Sequence, residues 1–336
     1  MVTSPLEVRD LGYDYDGRPI LDSVTWDLRR GEILGVLGPN GCGKTTMLRN
    51  LNRNLSPKRG CVVLDGTDLE DMAKRDIARH VAAVPQSNEI RFAFTVREMV
   101  AMGRMPFQEA FRGNSSEDER IVDEAMELTG ITHMSDRLIN TMSGGERQRV
   151  IIARALAQQP EILLMDEPTL HLDINMQFEV LDLVSELSRD RGLTVVIVSH
   201  DLPMVARYCD RIILIHDRTV WAEGKPEDVL TPENMRTVFN IDARFELDDR
   251  GQRTVRLYGA CHKERLSVRR VLRSQAGHFR TDRARSAPHC KCYSCRLMIN
   301  GIAVVENSLK GGKSECTGVS PSAHPEPSRQ EVMRSL

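Results

Sequence analysis

The sequence predicts an α/β protein whose centre is a mainly parallel sheet with helices on both faces. Three observations predict it. Short apolar runs of strand length recur along the chain, with helical patterns between most of them. One of these runs, Ile33 to Leu37, leads through a glycine-rich loop into a helix-like stretch from Lys44. Strand signals then fade between Thr95 and Ala157, where helical patterns dominate and a helical subdomain is expected.

In chain order, Val24, Trp26 and Leu28 alternate as a half-buried strand does, just ahead of the run at Ile33. Further strands are expected at Val81 to Val84, Ile162 to Met165, Thr194 to Val198 and Ile212 to Ile215. A helix is expected to start at Ser116, with Glu119 three residues on completing a capping-box pattern. Two short helical pieces follow Pro226. Phe245 to Leu247 and Thr254 to Leu257 then flank the turn-like Asp248-Asp249-Arg250-Gly251, a hairpin pattern that brings the ordered domain to a close near Tyr258.

Composition narrows the class. At 336 residues the chain can hold one large domain or two modest ones, and a formal net charge of −2 gives no general reason to expect nucleic acid as a partner. No stretch approaches the roughly 18 to 20 apolar residues of a membrane-spanning helix. Met1 to Arg9 contains Glu7 and no apolar block, which argues against a secretory signal and for the cytoplasm. Of the eight cysteines, Cys261, Cys290, Cys292, Cys295 and Cys316 all lie beyond residue 258, an imbalance that reads as a boundary.

Three segments carry chemistry. Gly38-Pro39-Asn40-Gly41-Cys42-Gly43-Lys44-Thr45, followed by Thr46, matches G-x-x-x-x-G-K-[ST] between a predicted strand and a predicted helix. Glycines let backbone N–H groups curl around phosphate oxygens, Lys44 supplies a cation, and Thr45 offers a hydroxyl to Mg²⁺. Ile162 to Met165 ends in Asp166 and Glu167, where one carboxylate can hold Mg²⁺ and the other can polarise an attacking water. Ser143-Gly144-Gly145 opens a helix and presents a second anion site. One nucleotide rarely needs two phosphate grips, so the second is expected to serve the ATP of another copy.

In this order the motifs resemble the ABC ATPase family, over about Leu6 to Tyr258. The resemblance implies a P-loop, RecA-like core with an antiparallel β subdomain and an inserted helical subdomain at about 90–157, together making an ATPase domain of residues 1–258. It also implies that Tyr15 stacks on adenine, although Tyr13 competes for the part; that Gln86 senses Mg²⁺ and couples to a membrane subunit; that Leu172-Asp173 contacts the opposite monomer; and that His200 reaches the γ-phosphate. Glu167, His200 and Lys44 are then the catalytic set, and Thr45, Gln86 and Asp166 surround Mg²⁺. Two positions depart from the family pattern, Met142 for leucine and Glu146 for glutamine, and the glutamate puts a negative charge beside the second anion site.

A single cassette without a fused membrane domain is similar to importers that keep the ATPase as a separate subunit. Phe94-Thr95-Val96, Gly103-Arg104-Met105-Pro106, Glu223-Gly224-Lys225-Pro226 and Leu230-Thr231-Pro232 resemble the branch for iron-siderophore, haem and cobalamin uptake. Zinc and manganese importer ATPases, and soluble ABC ATPases with a macromolecular client, stand as alternatives. The resemblance implies separate transmembrane permease subunits, indirect service to a substrate-binding protein, a head-to-tail homodimer, no nucleic acid, and a peripheral place on the cytoplasmic face of the membrane.

It does not reach residues 259–336. The first half of this tail is basic, with Arg269, Arg270, Arg273 and Arg280 among its cations against only Glu264 and Asp282. A disordered or weakly ordered tail is expected. Cys290, Cys292 and Cys295 have spacing that could hold zinc, and the basic run could touch anionic lipid.

Overall fold

The computed structural model describes residues 4–86, 92–108, 115–170 and 172–261, with residues 298, 299, 302 and 303 of the tail. Two strands, β1 (Leu6–Tyr15) and β2 (Arg18–Leu28), form an antiparallel hairpin. Its turn, Asp16-Gly17, has positive φ at both residues, the geometry that matches the right-handed twist of paired strands. Next come β3 (Ile33–Leu37), α1 (Lys44–Leu51), β4 (Arg59–Leu64), β5 (Thr67–Asp68), α2 (Lys74–His80) and β6 (Val81–Val84). Three helices follow, α3 (Val96–Ala101), α4 (Ser116–Leu128) and α5 (Gly144–Ala157). The chain continues through β7 (Ile162–Asp166), α6 (Ile174–Arg191), β8 (Thr194–Val198), α7 (Leu202–Tyr208), β9 (Arg211–His216) and β10 (Thr219–Gly224). Short helices α8 (Pro226–Val229) and α9 (Pro232–Asn234) precede β11 (Ile241–Leu247) and β12 (Arg253–Ala260).

The central sheet has the order β10-β9-β3-β8-β7-β6, parallel from β9 to β6 with β10 antiparallel at one edge. Every residue of β3, β7 and β8 is buried, as strands covered on both faces must be. Alternation divides them between two cores. Leu34, Val36, Val196 and Val198 meet α1 and an antiparallel sheet of order β2-β1-β4-β5, whereas Ile33, Leu37, Val195 and Ile197 meet Val180, Leu181 and Val184 of α6. Each such side chain contributes about 1.5–3 kcal/mol of burial.

A third core lies among α3, α4 and α5. Helix α5 serves both sides: Val150, Ala153 and Ala157 face the helical cluster, and Ile151, Ile152 and Ala155 face the sheet. Helix α4 starts at Ser116 as expected, but its capping box sits one residue earlier than Ser116 and Glu119. Ser115, not Ser116, is the N-cap; its hydroxyl accepts from the Asp118 amide at 3.1 Å and Asp118 bonds back to the Ser115 amide at 3.0 Å. The run Ser115-Ser116 and Asp118-Glu119 fits either register, and tertiary contacts choose. Arg104 takes Asp118 in a buried pair at 2.8 Å, and Glu119 goes instead to Arg97.

The same contacts explain Gly103-Arg104. A Cβ on Gly103 would lie 2.2 Å from the Arg154 carbonyl oxygen, so only glycine lets this turn rest against α5. Arg104 also donates to the Ala157 carbonyl at 2.9 Å and stacks over Phe107 at 4.0 Å.

The C-terminal hairpin is longer than Phe245 to Leu247 and Thr254 to Leu257. It pairs Ile241 with Ala260, and Ala243 and Val255 are buried in the core shared with α6. β12 therefore runs past Tyr258, and the Cys261 amide donates to Asn240 O at 2.8 Å. The chain divides into two compact units, Met1–Arg265 and Leu266–Leu336. In the second unit a two-residue ladder, Met298–Ile299 with Ile302–Ala303, is described. Cys290, Cys292 and Cys295 lie outside the described residues, as does the basic run.

Candidate nucleotide site

The site forms beyond the C-terminal ends of β3, β7 and β8, where parallel α/β sheets leave a crevice between outgoing loops. The loop after β3 turns into α1 through Gly43, whose φ of 102° suits glycine alone; a Cβ there would also lie 2.6 Å from Leu21. The N-terminus of α1 thus points free amides and positive dipole into the crevice.

A cleft of about 340 Å³ is lined on this side by Asn40, Gly41, Gly43, Lys44, Thr45 and Thr46, with Ile20 beside them. Gln86, Asp166 and Glu167 line it from β6 and β7. Gly38, Pro39 and Cys42 stand behind this lining. The carbonyls of Gly38 and Pro39 accept from Lys44 Nζ at 2.8 and 3.1 Å, holding the cation in place without a carboxylate partner among the described residues. The Cys42 side chain is buried, and burial pushes its thiol above the ordinary range, so it stays uncharged beneath the loop.

The two carboxylates differ in surroundings. Asp166 ends β7 and is buried; its Oδ1 has no hydrogen-bond partner, and burial pushes its carboxyl above the usual carboxylate range despite the Thr45 hydroxyl and the charges of Lys44 and Arg49. A buried, unpaired carboxylate oxygen beside a threonine hydroxyl is costly alone and fits a hard cation with oxygen ligands. Glu167 has left-handed backbone with φ 51°, a conformation rare and strained for such a side chain. Its amide donates to Val198 O at 2.9 Å, and its carboxylate lies 2.7 Å from Nδ1 of His200. The loop after β8 thereby brings His200, the most distant member of the set in sequence, onto the carboxylate that faces the cleft.

The remaining residues are placed elsewhere. Ser143 is the N-cap of α5, and Gly144 and Gly145 are its first residues; none lines the cleft. Asp173 caps α6 through the Met176 amide at 3.0 Å, and a Cβ on Gly145 would lie 2.8 Å from the Met176 side chain, so these two segments adjoin one another. Tyr15 ends β1, 40% exposed, with its ring 5.1 Å from that of Tyr13. Tyr13 packs against the core beneath the antiparallel sheet, which leaves Tyr15 the freer of the two for stacking.

Two participants carry no sequence signal. Ile20 is one apolar residue of a strand until the hairpin lays it over the cleft. Arg137 meets Glu146 at 2.9 Å only because the chain folds back before α5. Another cavity, of about 320 Å³, lies among α4, the end of α5 and the end of α6. Its charges are already paired, Arg191 with Glu124 and Arg30 with Glu161, so it offers a ligand little. Among the described residues no helix is long and apolar enough to cross a membrane.

Comparison with known proteins agrees with this geometry. Residues 21–170 match the family model described as ABC transporter. The chain is 40% identical over 240 residues to the achromobactin transport ATP-binding protein CbrD of Dickeya dadantii (strain 3937), covering 71% of this chain and 89% of that one. It is 40% identical over 250 residues to the iron(3+)-hydroxamate import ATP-binding protein FhuC of Bacillus subtilis (strain 168), covering 74% and 93%. Among solved structures, a chain from an inward-facing metal-chelate type ABC transporter superposes with a TM-score of 0.67 at 28% identity, covering 76% of this chain and 98% of that one. The dimeric cassette MJ0796 in a post-hydrolysis state with ADP and Pi superposes with a TM-score of 0.58 at 29% identity, covering 66% and 98%. A cleft built from a phosphate loop and a paired carboxylate, on this fold and with these relatives, makes the chain a member of the ABC transporter family: an ATP-binding, ATP-hydrolysing subunit.

Proposed function

We propose that two copies of this subunit close head to tail around two ATP molecules and drive separate permease subunits that import an iron-siderophore, haem or cobalamin. The observation that carries this reading is the division of phosphate-binding groups. Lys44, Asp166, Glu167 and His200 gather at one cleft, whereas Ser143–Gly145 stand apart at the start of another helix, so a second copy is needed to bring the two together. The relatives' names, which specify achromobactin transport and iron(3+)-hydroxamate import, support the cargo class.

In this reading Tyr15 stacks on the adenine, the loop amides and Lys44 hold the phosphates, and Glu167 accepts a proton from the water that attacks the γ-phosphorus. A P–O bond forms to that water, the bond to the β-phosphate oxygen breaks, and ADP and phosphate leave. His200 orients the Glu167 carboxylate. Thr45, Asp166 and Gln86 would hold Mg²⁺, which neutralises charge on the phosphate oxygens. Gln86 would carry the closing motion to the permease on the cytoplasmic face of the membrane, and Asp173 would meet the other copy.

Glu167→Gln tests the reading. ATP binding is expected to persist while turnover falls by about 10²-fold or more, and an ATP-bound dimer accumulates on size-exclusion chromatography with Mg²⁺. A persistent monomer releasing phosphate at the wild-type rate would overturn it. Purification of the same variant from solubilised membranes should bring the permease with it.

A further inference from the structure

We propose that Glu146 is an intramolecular competitor for Ser143, and that Glu146 and Arg137 together set the ATP concentration at which two copies close. This rests on the reading above, in which Ser143–Gly145 grips the ATP of the opposite copy. Ser143 caps α5, its hydroxyl accepting from the Glu146 amide at 3.3 Å. The same hydroxyl donates to Glu146 Oε2 at 2.9 Å, and the Ser143 amide donates to that oxygen at 2.8 Å. One carboxylate oxygen therefore occupies two donors at the mouth of the helix, where an arriving phosphate would seek them.

The charge matters as much as the bonds. The start of a helix carries unsatisfied amides and a partial positive charge, and a carboxylate there opposes the approach of a triphosphate while stabilising the helix itself. These bonds from Ser143, and then Arg137, hold the Glu146 carboxyl below the usual carboxylate range, so it is charged when ATP arrives. Arg137 meets the other oxygen, Oε1, at 2.9 Å. It draws charge away from the Ser143 side and leaves the pair close to neutral. The capping box is thus a latch: closure over ATP requires the Ser143 hydroxyl to exchange a carboxylate for a phosphate oxygen, and Arg137 lowers the cost of that exchange.

Glutamine is an accepted third residue of a capping box, so Glu146→Gln keeps one acceptor for the Ser143 amide while removing the charge and the second acceptor, the one that faces Arg137. The test uses the full chain carrying Glu167→Gln, with the dimer fraction followed by light scattering as ATP is titrated with Mg²⁺. Adding Glu146→Gln should lower the half-dimerising ATP concentration by roughly three-fold or more, and adding Arg137→Gln should raise it by a similar factor. Unfolding temperatures without nucleotide, measured on the same proteins, separate this from damage to α5: a shift in ATP dependence at near-constant unfolding temperature supports the latch. An unchanged or raised ATP requirement in Glu146→Gln overturns it. If the Glu167→Gln parent itself never dimerises, the underlying reading fails and the latch falls with it.

Discussion

Asp166 and Glu167 are adjacent carboxylates with opposite needs, set by which way each points from the end of β7. Asp166 is buried with an orphaned oxygen, and the fold carries the cost of that charge when no ligand is present. Asp166→Asn should therefore keep or raise the unfolding temperature of the nucleotide-free protein while ATP hydrolysis falls by about 10²-fold, a trade that differential scanning fluorimetry and phosphate release would read together. Glu167 has His200 at 2.7 Å instead. His200→Ala leaves that carboxylate without its imidazole, and turnover is expected to drop by roughly 10-fold to 10²-fold with ATP binding retained. The pair of carboxylates was legible in the sequence; their difference was not, because burial and the approach of a residue 33 positions away are properties of packing.

At the level of elements, the joint between α4 and α5 depends on Arg104. Its guanidinium bonds Asp118 and the end of α5 in a nearly dry setting, so Arg104→Ala strands a buried carboxylate and should cost about 3 kcal/mol, seen as a lower urea midpoint. Arg104 and the Ser115 amide hold the Asp118 carboxyl below the usual range. A depressed folded pKa means stabilisation that is fully present above the unfolded carboxylate value, about 3.9, and lost as pH falls through the lower folded value. Urea midpoints should accordingly decline below about pH 4, and Asp118→Asn should flatten part of that decline while lowering stability at neutral pH. The pattern of a capping box was visible in the chain, yet Ser115 with Asp118 and Ser116 with Glu119 fit it equally well. Only the position of Arg104 against α5 decides between them.

Over the whole molecule, the C-terminal hairpin closes the first unit by burying Ala243 and Val255 and ends at the Cys261–Asn240 bond. Removing residues 262–336 should leave the unfolding temperature and the ATP-driven dimerisation of Glu167→Gln unchanged, while zinc content compared between full and shortened protein reads the cysteines of the tail. The parallel sheet, the phosphate loop and the acidic strand end were legible in the chain, because each is written in local periodicity or in a motif whose backbone chemistry admits few residue types, and the order of those motifs carried the resemblance to ABC ATPases. Packing was needed to show that Lys44 rests on the carbonyls of its own loop, that His200 meets Glu167, and that Arg137 reaches Glu146. The first and third depend on how a loop folds back on itself and the second on the approach of two loops 33 residues apart, geometry that no periodicity or motif encodes.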